Sequence, residues 1–261
     1  MTVRALVLRG ALAGLVAGLA AGAFAFAVAE PRIDAAISHE EQPAHAHTEH
    51  GAGHEGDHGE EDAPPVSRDQ QKGFLFLATM LWGVGIGGLF GIAFAALRGR
   101  AGRVDGGTLA LALCGVLVLA VVLVPALKYP PNPPGVGDPE TIGRRTALYF
   151  LLLALSLIAV LAAWRASRRL GRGRPASIGV GIGAIVYLAT IALVLALLPG
   201  FDEVPSDFPA QLLWEFRIAS IGTQVTLWAV LGVSFAAIVE GSARSHRRPR
   251  ILRATGPFQR S

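Results

Sequence analysis

Long apolar runs alternate with short polar punctuation along the whole chain. Six stretches carry no charged residue at all: 10–29, 73–97, 106–127, 146–164, 176–198 and 218–239. About 20 residues at a 1.5 Å rise cross the ~30 Å of hydrocarbon in a bilayer, so each stretch is long enough to span. A backbone polar group in lipid has to be satisfied within its own segment, which predicts helices. The expected fold is an all-α integral membrane protein, a single domain over 1–261. It is a bundle of six transmembrane helices arranged as three hairpins with outer loops.

Composition supports this class. Apolar residues make up 52% of the chain, charged residues 16%, and the mean hydropathy is +0.49. The first span has a second reading as a signal peptide, with Arg4 and Arg9 as the charged region and Ala27-Val28-Ala29 as the cleavage site; cleavage would leave five spans. Against cleavage stand the length of the run and a repeat of Gly10, Gly14, Gly18 and Gly22 at every fourth position, a face for close helix packing. Gly83, Gly87 and Gly91 form a matching row on the second span. The expectation is a retained first helix packed on the second.

Orientation follows from lysine and arginine. Sixteen lie before the first span, between spans two and three, between four and five, and in the tail 240–261, against seven, Arg217 at the entry to the last span included, in the alternate connections. Both termini are expected in the cytoplasm, in a multi-pass protein of the cell's inner (cytoplasmic) membrane. The basic tail reads as a topological anchor and not as a nucleic-acid arm.

This places the most unusual segment outside. Residues 38–62 hold six of the seven histidines, His39, His45, His47, His50, His54 and His58, among carboxylates and glycines. Neutral imidazoles at such spacing suit cobalt, nickel, copper or zinc over magnesium or manganese. The segment reads as a flexible, adaptable metal-capture loop, or else as a low-complexity polar linker. No tightly bound cofactor is expected; Co2+, or Ni2+ or Zn2+, is the captured or transported ion.

The other outer connections are stiffer. Pro130, Pro131, Pro133, Pro134 and Pro139 restrict the first to extended or turn conformations, a stiff cap. The second carries Asp202, Glu203 and Asp207 and the aromatic residues Phe201, Phe208, Trp214 and Phe216, which suit the headgroup level. Glu215 and Arg217 enter the membrane on the last span two residues apart, so each should reach a different neighbour. Glu215 is either an ion-receiving carboxylate, with Thr223 and Gln224 as deeper polar steps, or one half of a structural ion pair. Asn132 in the proline cap is a further candidate for the pathway. Cys114 and Met80 read as packing residues. Phe90-Gly91-Ile92-Ala93-Phe94 on span two is echoed by Leu231-Gly232-Val233-Ser234-Phe235 on span six.

The chain resembles the CbtA family of probable cobalt transporter subunits. The likeness rests on the early span followed by a histidine-bearing loop and on the Lys128-Tyr129-Pro130-Pro131-Asn132-Pro133-Pro134 cap. It also rests on Trp214-Glu215-Phe216-Arg217 running into a glutamine-bearing last span. The resemblance implies cobalt uptake for cobalamin synthesis beside a small single-span, histidine-bearing partner of the CbtB type; an oligomer is a further expectation. No phosphate-binding G-x-x-x-x-G-K-[ST] loop occurs and no helix-borne H-E-x-x-H pattern is expected, since His54-Glu55-Gly56-Asp57-His58 falls in the glycine-dotted segment; this argues against ATP hydrolysis and against an enzyme. The alternatives are a non-transporting capture or assembly subunit, and a nickel or zinc transporter.

Overall fold

Each of the six apolar runs is helical in the computed structural model, which describes residues 2–46, 68–102, 104–134 and 136–247. The helices are α1 (Val3–Phe24), α2 (Glu30–Ala46), α3 (Arg68–Leu97), α4 (Gly106–Leu117), α5 (Val124–Lys128), α6 (Ile142–Leu170), α7 (Ala176–Leu197) and α8 (Ala210–Arg247). Among the described residues there is no strand. Six helical segments are long and apolar enough to cross a membrane: Val3–Ser38, Lys72–Leu97, Gly106–Lys128, Pro139–Leu170, Ala176–Leu197 and Ala210–Ser242. The chain is a multi-pass helical membrane protein.

Local chemistry sets several boundaries. The Thr2 hydroxyl accepts the Ala5 N–H at 3.3 Å and caps α1. Asp105 caps α4 by accepting the Thr108 N–H at 2.9 Å, and that bond holds its carboxyl below the usual carboxylate range. Gly102 and Gly173 take φ of +80° and +76°, the left-handed geometry that lets the chain reverse after α3 and α6.

Two helices are interrupted by wide π-helical turns, Ala25–Ala29 between α1 and α2 and Val118–Leu123 between α4 and α5. Each lies just upstream of a proline, Pro31 or Pro125. A helical proline cannot donate its N–H and its ring crowds the carbonyl four residues earlier. Those earlier residues, Ala27 and Val121, lie inside the two π turns, where the widened backbone takes up the misfit.

The first helical segment therefore does not stop at 29. It bends and runs on to Ala46, so residues 38–46 of the histidine segment are helical; His39 and His45 sit on α2. His47, His50, His54 and His58 lie outside the described residues. Contacts to other helices hold the base of α2. Lys72 Nζ on α3 lies 2.7 Å from Asp34 Oδ2, and Arg32 Nε is 3.8 Å from Glu215 Oε2 on α8.

The two glycine rows meet as their spacing predicts. A Cβ on Gly10 or Gly14 would strike the backbone carbonyl of Gly87 or Gly83, and the reverse holds for Gly83 and Gly87. α8 packs across α1 and α4. The echoed segments of α3 and α8 prove to be packing partners: Phe235 sits edge-on to Phe90 at 5.1 Å and to Phe94 at 5.0 Å between ring centroids. Helices α6 and α7 form a separate pair around Leu152, Ala159, Tyr187 and Ile191. A hydrogen bond of 3.1 Å between Ser156 and Tyr187 satisfies its buried hydroxyls. Connectivity gives three hairpins, but packing regroups them into a four-helix body, α1, α3, α4 and α8, and the α6/α7 pair.

Candidate functional site

The proline cap and the α7–α8 connection interlock at the end of the bundle that carries the histidine segment. Lys128 Nζ donates to the Leu195 carbonyl at 3.0 Å and the Tyr129 hydroxyl to the Pro199 carbonyl at 2.9 Å. Burial raises the Tyr129 pKa, and the nearby Arg144 charge opposes this. Glu203 Oε2 accepts both the Asp138 N–H and the Thr141 hydroxyl at 3.0 Å and faces Arg145 Nε at 3.4 Å. Arg144 lies over the Phe201 ring, 5.7 Å from its centroid. The Glu203 and Arg145 pairing was not among the sequence expectations; no local pattern links residues 58 positions apart across two loops.

Glu215 and Arg217 reach different neighbours, as their offset on the helix requires. Glu215 meets Arg32, and its Oε1 accepts the Gln211 side-chain N–H at 2.9 Å. Arg217 Nη2 donates to Asn132 Oδ1 at 2.8 Å, tying the last span to the cap. Thr223 turns its hydroxyl back to the Ala219 carbonyl at 2.9 Å. Trp214 is 64% exposed at the start of α8.

Between the four-helix body and the α6/α7 pair lies a cavity of about 1090 Å³. Asn132, Gln224, Arg217, Lys128, Tyr129, Pro130 and Pro131 line it, with Arg145, Glu203 and Ser220; the rest of the wall is apolar, including Trp82, Leu89, Phe90, Phe150 and Trp228. Pro133 is buried in the cap behind it. Of the candidate pathway residues the cavity thus gathers Asn132 and Gln224, while Glu215 and Thr223 do not line it. Its charged groups are three cations, Lys128, Arg145 and Arg217, and one carboxylate, Glu203. Among the described residues no three His, Cys, Asp or Glu side chains converge where an ion could be held.

A multi-pass helical bundle with a polar-capped cavity has the general build of a membrane transport protein. Comparison makes this specific: residues 3–240 match the family described as probable cobalt transporter subunit (CbtA), and the chain belongs to that family. A transporter subunit is not an enzyme class, and cobalt is the ion this family description names. No curated protein and no solved structure matches the chain.

Proposed function

We propose that this chain takes up cobalt for cobalamin synthesis, capturing the cation on the histidine segment outside the cell and passing it to a pathway across the inner membrane. The observation that carries the reading is the family match over nearly all the membrane region. The base of α2, the helix that carries His39 and His45, is fastened to α8 and α3 through Arg32 and Asp34, which supports capture near that end of the bundle. His39, His45, His47, His50, His54 and His58 then raise the local ion concentration near Glu215, the α8 carboxylate that faces Arg32. A single-span, histidine-bearing partner completes the system in this reading.

One observation favours the second reading, a capture or assembly subunit that presents the ion to a partner's pore. The cavity carries an excess of positive charge and a mostly apolar wall, and a dehydrating divalent cation needs the opposite. Uptake of radiolabelled cobalt and nickel separates the readings, in cells carrying this chain alone, the chain with a single-span partner, or neither. Uptake by the chain alone assigns transport to it; uptake only with the partner assigns capture. Nickel accumulated in preference to cobalt changes the ion.

A further inference from the structure

The cavity under the proline cap is charged at one end and apolar along the rest, and its charge is unbalanced. Arg217 makes one side-chain bond, to Asn132, and its Nε is buried without a hydrogen-bond partner. Among the described residues Lys128 donates only to a backbone carbonyl. Neither has a carboxylate within ion-pair distance among the described residues, while Arg145 shares the single carboxylate of Glu203. Cations withdrawn from water without counter-charges are costly, so the polar end lacks negative charge.

We propose that this cavity holds a phospholipid of the surrounding bilayer, its phosphate among Lys128, Arg145 and Arg217 and an acyl chain along the apolar wall. Three features favour an amphiphile over a free anion. A lone phosphate would balance the charge but leave the apolar wall wet, and about 1090 Å³ far exceeds what such an ion fills. The cavity also opens sideways: Trp82, Leu89 and Phe150 line it, yet are 59%, 64% and 61% exposed on the outer faces of α3 and α6. An acyl chain can enter there directly from the hydrocarbon. Finally, Arg217 lies about 10 Å along α8 from its first residue, at 1.5 Å per residue, so the cations sit near the level of the headgroups. A bound phosphate would be recognised by charge-assisted hydrogen bonds from guanidinium groups. The proposal does not depend on which ion is transported.

The test uses the full chain purified in a mild detergent and exposed to phosphatidylglycerol in mixed micelles. Retained phospholipid is counted by extraction and mass measurement after washing. The expected result is about one phospholipid per chain, the capacity of a single site. Arg217→Gln should bind about tenfold more weakly, the scale of losing one charge-assisted contact, while Arg217→Lys keeps most of the affinity. Ala126→Phe, which narrows the apolar wall and leaves the cations in place, should also weaken retention; this keeps the test decisive if Arg217→Gln fails to fold. Absence of retained lipid overturns the proposal, as does equal retention by wild type, Arg217→Gln and Ala126→Phe. Displacement by millimolar inorganic phosphate would make this a free-anion site and overturn it too. A photoreactive residue at position 153 that captures a protein segment instead of lipid would give the cavity to a partner helix.

Discussion

At the residue scale, Glu215 shows how exposure changes what a substitution can test. A buried ion pair that loses one partner costs ~3–5 kcal/mol, which would deplete the protein from the membrane. The Arg32 and Glu215 side chains are 32% and 41% exposed and their closest approach is 3.8 Å. A pair of this kind contributes only ~0–1 kcal/mol. Glu215→Gln is therefore expected to leave membrane abundance near normal, so a fall in uptake cannot be blamed on folding. The expected outcome is reduced cobalt uptake even at high external cobalt, measured alongside immunoblot abundance. Uptake at the wild-type level would remove Glu215 from the pathway and turn attention to Asn132 and the proline cap, or to the partner chain.

At the scale of elements, the α1–α3 contact is set by what glycine lacks. At Gly14 an added side chain meets backbone of α3 and not a movable side-chain tip, so the helices themselves must separate. Gly14→Leu should lower the thermal midpoint of the detergent-solubilised protein, with a cost on the overpacking scale of ~1–3 kcal/mol or more. Gly85→Ala, on the same α3 with nothing within 4 Å of its Cβ position, should leave the midpoint unchanged or slightly raised. Equal effects would mean that the contact is not close-packed. The histidine segment acts by ligand supply and not by packing. Replacing His45, His47, His50, His54 and His58 with alanine should weaken cobalt capture at low external metal and spare uptake at high metal. Because an imidazole must be deprotonated to ligate, binding titrated on the full chain should fade as pH falls through about 6.5, the ordinary histidine value. Binding unchanged by the five substitutions would reduce the segment to a polar linker.

At the scale of the whole molecule, sidedness is the property most dependent on counting charges. In a Cys114→Ala background, a cysteine introduced at His50 or beside Asp138 should react with a membrane-impermeant thiol reagent added outside intact cells. One beside Arg169 or Arg248 should not. The reverse pattern would put the histidine segment inside and end its capture role. Cys114 itself is buried and its thiol donates to the Trp228 carbonyl at 3.0 Å, so the background change removes one weak hydrogen bond and a small packing contact.

Periodicity and composition were enough to determine the helical membrane class, the six spans and the facing glycine rows. Each follows from a local requirement, either a backbone that must satisfy itself in lipid or a side chain too small to hold two helices apart. The offset of Glu215 and Arg217 likewise required separate partners, because their directions on one helix are fixed by its period. The identity of those partners came only from tertiary structure. Arg32 and Asn132 lie 183 and 85 positions from the residues they meet, and sequence spacing carries no record of contacts made through folding. The π turns were missed: Pro31 and Pro125 are the signal that could have found a disturbed helix, but whether a helix kinks, stops or widens depends on what packs around it. The cavity was not legible at all. It lies between α6 and the faces of α3, α4 and α8, under the proline cap. Its cations gather there from three separate segments that no local pattern relates.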